Sequence, residues 1–143
     1  MIVKIINTST NELPAYQTAG AAGLDIRANL EEPIVLAPLQ RTLVPTGLFL
    51  EIPEGYEVQV RPRSGLAAKH GITVINAPGT IDSDYRGEVK VPIVNLSDES
   101  FTIAHGERIA QMIFAKYERV TFQQVEELSD TQRGTAGFGS TGK

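Results

Sequence analysis

The chain has 143 residues, 41% of them hydrophobic and 21% charged, which fits one globular domain and excludes both a second catalytic domain and intrinsic disorder. Cysteine is absent, so disulfide frameworks, thiolate nucleophiles and cysteine-ligated zinc are excluded. Against 17 Asp and Glu stand 13 Lys and Arg, a formal charge of −4; nucleic acid is therefore not an expected partner, and a polyanionic ligand must meet a local basic pocket.

The two histidines, His70 and His105, lack the close spacing of a histidine-held metal site. No run approaches the roughly 18 apolar residues of a membrane span, and the start MIVKIINTST has none of the parts of a signal peptide. The sequence predicts a cytoplasmic protein with no membrane partner.

Short apolar runs punctuated by Pro, Gly, Asn and Asp predict strands at IVKII (2–6), LDIRA (24–28), PIVL (33–36), TLVPTGLFLEI (42–52) and YEVQVRP (56–62). The series continues with GITVI (71–75), GEVKVPIVNL (87–96), FTIA (101–104) and RIAQMIFAKYERV (108–120). Alternation is cleanest in Tyr56-Glu57-Val58-Gln59-Val60, where apolar and polar residues take opposite faces. The run at 108–120 also admits an amphipathic helix through Ile109, Met112, Ile113 and Lys116; strand is the preferred reading. One short helix is expected from Ser64, as N-cap, to about Lys69, with Gly71 ending it. Many short strands separated by turns indicate an all-β barrel or sandwich. Residues 1–128 form the expected β-barrel domain. The last 15 residues, SDTQRGTAGFGSTGK (129–143), carry too little apolar surface to fold alone and are predicted to be a flexible Gly-rich tail. Extended, that tail reaches about 50 Å.

The tail spells G-x-G-x-x-G and G-x-x-x-x-G-K, but neither pattern has its context: no strand–helix unit follows, and no Ser or Thr comes after Lys143. What remains is a glycine-rich run with Ser140 and Thr141 suited to phosphate oxygens. Phe138 in its middle needs a partner to stack on. In RPRSGLAAKHG (61–71) a helix start flanked by Arg61 and Arg63 suits phosphate, or is simply a capped surface helix. In the stretch from Asn76 to Glu88, Asp82 is either a general base for a water or, with Asp84, an ordinary turn former. Asp25 interrupts an apolar strand and needs a cation or donor, with a structural ion pair to an arginine as the plain alternative. Gln111 is an amide embedded in an apolar run that needs partners.

Five segments, AGLDIRA (22–28), RPRSGLA (61–67), NAPGTIDSDYRGEV (76–89), GERIAQMIF (106–114) and RGTAGFGSTG (133–142), resemble in order the five motifs of the homotrimeric dUTPase family. The resemblance implies an all-β, jelly-roll-like subunit, assembled as a homotrimer with active sites at subunit boundaries and the tail of one chain closing over a site. It implies Mg2+-dependent hydrolysis of dUTP to dUMP and pyrophosphate, limiting uracil in DNA and supplying dUMP for dTTP synthesis. Asp82 would activate the water that attacks the α-phosphorus. Arg63, Ser64 and Gly65 would hold the triphosphate, with Gln111 adding an amide contact. Asn76, Thr80 and Ile81 would read uracil through a hairpin closed by the main chain of Lys90, and Tyr85 would lie against deoxyribose. Arg133, Phe138, Gly139, Ser140 and Thr141 would form the lid, Phe138 stacking on the base. Asp25 would act in the outer shell of magnesium, through water. A dCTP deaminase-type relative, a nucleotide-sensing binding module and a ligand-free structural trimer are the competing readings.

Overall fold

The computed structural model describes residues 1–137. Its strands are β1 (Lys4–Asn7), β2 (Leu24–Arg27), β3 (Ile34–Leu36), β4 (Arg41–Glu51) and β5 (Tyr56–Arg61), followed after helix α1 (Ser64–His70) by β6 (Ile72–Val74), β7 (Gly79–Ile81), β8 (Glu88–Asn95), β9 (Phe101–Ile103) and β10 (Arg108–Lys116). They build two four-stranded sheets, β1-β4-β8-β6 and β2-β10-β5-β7, with a separate β3-β9 ribbon. Every pairing among them is antiparallel. The chain is thus mostly β and jelly-roll-like, as expected; among the described residues the ladders do not close into a ring.

The period-two pattern decides what is buried. In β8, Val89, Val91 and Ile93 point inward at 2%, 0% and 0% exposure, while Lys90 between them is exposed. Val58 and Val60 of β5, Ile26 of β2 and Met112 of β10 face them from the second sheet, so one hydrophobic cluster joins both sheets. Each such side chain contributes about 1.5–3 kcal/mol on burial, before entropy is counted.

β4 and β8 break register between Pro45 and Leu48. Pro45 has no N–H to give the ladder, and the amides of Thr46 and Gly47 turn instead to one carboxylate oxygen, Oε1 of Glu88, at 3.2 and 2.8 Å. The Thr46 hydroxyl donates to the Val89 carbonyl.

The run at 108–120 is a strand, but it ends at Lys116, opposite Tyr56. β5 begins at Tyr56, so nothing remains to pair Tyr117–Val120; the chain leaves the sheet with Tyr117 N–H donating to the Gly55 carbonyl. Residues 117–137 form no helix or strand, and in the single chain Phe122 is 94% exposed.

Helix α1 corrects one expectation. Ser64 is its first helical residue, not its cap; Arg63 holds the cap position with extended backbone (φ −91°, ψ 129°) and makes no side-chain capping bond. Its side chain is engaged elsewhere, on Asp25 of β2, so the direction of β5 carries on through Pro62 and Arg63 before the helix turns. Gly71 ends the helix as expected, with φ 65° and its N–H on the Ala67 and Leu66 carbonyls. The stretch from 76 to 88 contains strand β7, three residues long and paired with β5.

Candidate active site

Apart from Arg133, the predicted site residues that the structure describes fall into two groups, one at the β5–α1 junction and one around β7. The first gathers where β2, β10 and the β5–α1 junction meet. Gln111 of β10 sits in register with Asp25 on one side and Arg61 on the other. Asp25 Oδ1 accepts from Arg63 Nε at 2.8 Å and Oδ2 from Arg108 Nη1 at 3.1 Å. Arg63 Nη1 also donates to the Arg108 carbonyl at 3.4 Å. The Asp25 carboxylate is 19% exposed, so the cost of removing it from water is offset by two charge-assisted bonds.

Gln111 Nε2 donates to the Pro62 carbonyl at 2.9 Å. Its amide lies against Gly23: a Cβ built there would overlap Oε1 and sit 3.3 Å from Cδ. Ser64 and Gly65 follow directly, exposed in the first turn of α1, and the first helical bond runs from Ala67 N–H to the Arg63 carbonyl. Amides ahead of that bond have no partner within the helix. This end of the molecule therefore offers an oriented guanidinium, a hydroxyl and first-turn amides, a donor set suited to phosphate oxygens.

The second group surrounds β7. A depression of about 300 Å³ is lined by Leu43, Thr80, Ile81, Asp82, Tyr85, Glu88, Val89 and Lys90. β7 is an edge strand, so its outer row of backbone donors and acceptors is available to a ligand. Asn76 lies in the approach to it, with Nδ2 3.1 Å from the position a Gly79 Cβ would take. Asp82 follows β7 directly; its carbonyl accepts from Tyr85 N–H at 3.2 Å, and its residue surface is exposed. The Tyr85 hydroxyl donates to the Glu88 carbonyl at 3.1 Å. Arg86 ties the loop by donating to the Ser83 and Tyr85 carbonyls at 2.6 and 2.9 Å. Lys90 stands on β8 with its ammonium 3.4 Å from Glu88 Oε2.

One chain does not join the two groups. Ile81, next to Asp82, pairs with Val58, and Arg63 is five residues further along, about 16 Å at ~3.3 Å per residue. Arg133 belongs to neither group: it sits in a turn, with Nε donating to the Ala136 carbonyl at 2.8 Å. Phe138, Gly139, Ser140 and Thr141 lie outside the described residues.

Sequence reasoning missed Arg108 and Glu88. Each is held by a partner remote in the chain, Asp25 for Arg108 and the Thr46 and Gly47 amides for Glu88, so no local spacing announces them. For a metal, the described residues hold no cluster of three His, Cys, Asp or Glu. Asp25 has two arginine bonds, and a carboxylate has roughly four lone-pair sites. Its remaining acceptor capacity is compatible with the expected outer-shell place, in which it would accept from a metal-bound water. No helix among the described residues is long and apolar enough to cross a membrane.

A dUTPase family model matches residues 9–142. The chain is 69% identical over 141 residues to the deoxyuridine 5'-triphosphate nucleotidohydrolase of Cytophaga hutchinsonii, covering 99% of this chain and 92% of that protein. It is 61% identical over 142 residues to the protein of the same name from Finegoldia magna, covering 99% of each. Among solved structures, a mutant dUTPase of Staphylococcus bacteriophage 80alpha with dUpNHpp superposes with a TM-score of 0.87 at 28% identity, over 99% of both chains.

Proposed function

Because the chain belongs to the dUTPase family, we propose that it hydrolyses dUTP to dUMP and pyrophosphate, as a homotrimer whose sites form between subunits. The observation that carries this reading is the separation of Asp82 from the Arg63 cradle. A base that activates a water works at hydrogen-bond reach of it, and the phosphate under attack must be gripped at the same place. About 16 Å of chain, from Val58 opposite Ile81 through the end of β5 to Arg63, divides the two within one chain, so the cradle serving Asp82 comes from a neighbour. Exposed Val120, Phe122 and Leu128 (70%, 94% and 87%) support the same arrangement, since a second chain would cover them.

In this mechanism the outer backbone edge of β7, at Thr80 and Ile81, together with Asn76, pairs with the polar edge of uracil, and the Lys90 main chain closes the pocket. Cytosine would leave those groups mismatched once the bound nucleotide covers them, which discriminates by roughly 10⁴–10⁵ in sites of this kind. The Tyr85 ring stands against the sugar and excludes a 2′-hydroxyl. Arg63, Ser64, Gly65 and Gln111 hold the phosphates. Asp82 takes a proton from the attacking water as its oxygen bonds to the α-phosphorus; the bond from that phosphorus to the bridging oxygen breaks and pyrophosphate leaves. Magnesium, when bound, neutralises triphosphate charge, and Asp25 would hold one of its waters. The tail residues Arg133, Phe138, Gly139, Ser140 and Thr141 close the site and keep bulk water out.

The test is pyrophosphate release from dUTP, dCTP, dTTP and UTP at equal concentration. Release confined to dUTP supports the reading; equal rates on all four contradict it.

A further inference from the structure

Gly87 has no assigned role in this reading, yet the geometry around it is specific. Its φ does not lie in the left-handed region, so no turn conformation demands glycine there. The demand is steric. A Cβ built on Gly87 would overlap the Tyr85 hydroxyl oxygen and stand 2.9 Å from Cε2 of the same ring. The ring arches back over residue 87 to place its hydroxyl on the Glu88 carbonyl, and only a residue without a side chain leaves that path open. Glu88 is itself fixed by the Thr46 and Gly47 amides across the β4–β8 break. The ring therefore rests on a rigid base, and its outer face borders the depression that also holds Asp82.

We propose that Gly87 is a specificity-determining positioning residue: by seating the Tyr85 ring, it sets the wall that separates 2′-deoxy from 2′-hydroxy nucleotides. The inference rests on the hydrolase reading above. A methyl group at 87 displaces the ring, breaks its hydroxyl anchor and shifts the wall, while leaving Asp82 and the cradle untouched.

The experiment compares Gly87→Ala with the wild-type chain for dUTP and UTP. The ratio of kcat/KM for dUTP over UTP should fall by about tenfold or more, since one wrongly filled position in a pocket is worth roughly 10–200-fold. NMR shifts of the Tyr85 ring should move in the ligand-free protein, a readout independent of turnover. An unchanged ratio, or equal losses on both nucleotides, overturns the proposal. If Gly87→Ala does not fold, Tyr85→Phe removes the same anchor and should lower the ratio in the same direction; no change in that ratio overturns the proposal equally. A wild-type chain that does not prefer dUTP to UTP would instead refute the underlying hydrolase reading, so the two failures are distinguishable.

Discussion

Arg63 reaches across 38 positions of sequence to place its Nε 2.8 Å from Oδ1 of Asp25. The pair is what sets the guanidinium beside the first turn of α1, and Arg108 on the other carboxylate oxygen completes a three-residue lock. Asp25→Asn keeps the shape but loses the charge, leaving two guanidinium groups side by side. It should lower stability by about 2 kcal/mol, the scale of hydrogen bonds to charged groups, and raise KM for dUTP more than it lowers kcat. Urea denaturation and steady-state kinetics check both; unchanged values for the two would show that the lock does not organise the cradle.

Glu88 holds two backbone amides at the break in the β4–β8 ladder. Removing the acceptor in Glu88→Ala leaves the Thr46 and Gly47 amides unsatisfied next to the core, at about 1–3 kcal/mol for each such group. The variant should be destabilised by about 2–6 kcal/mol in chemical denaturation. A loss below ~0.5 kcal/mol, the range of ordinary surface changes, would mean that the carboxylate does not carry this bulge.

At the edge of the first sheet, Lys4 Nζ lies 2.8 Å from Glu51 Oε1, in register across β1 and β4. That hydrogen bond and charge hold the Glu51 carboxyl below its usual range. A depressed carboxyl contributes stability above its unfolded pKa and loses it as pH falls through the folded value. NMR titration should therefore show Glu51 ionising at a lower pH than an ordinary glutamate, with Lys4→Met returning it to the ordinary range. The pair is exposed to solvent, so salt should weaken the effect.

Ending the chain at Gln132 removes Arg133 and the glycine-rich tail. Both sheets end before this point, at Lys116, so circular dichroism and thermal unfolding should be little changed. If the tail closes the site as proposed, hydrolysis of dUTP should fall sharply in the shortened chain, which could no longer keep water out. Full activity in the shortened chain would remove the tail from the mechanism.

Much of this architecture is legible in the sequence because burial alternates along stretches of β5 and β8. Val58 and Val60, or Val89, Val91 and Ile93, announce their sheets residue by residue. Three-residue β7 is too short to show a period, and its strand character comes from pairing with β5, a tertiary effect. Ser64 reads as a cap because its hydroxyl suits that position; the cap went to Arg63 because Asp25 holds its side chain. Asp25 and Gln111 were identifiable as polar groups in apolar runs, whereas Arg108 and Glu88 owe their places to partners more than 40 positions away. The distance between Asp82 and Arg63 follows from the β5–β7 register, which sequence spacing does not encode.

The most direct test of the proposed mechanism is Asp82→Asn, which would remove its general base while leaving its phosphate cradle intact. With dUTP, kcat should fall by about 10²–10⁴, the usual contribution of a positioned base, while a non-hydrolysable dUTP analogue binds with nearly wild-type affinity in calorimetry. A wild-type turnover number in the Asp82→Asn variant would contradict the account.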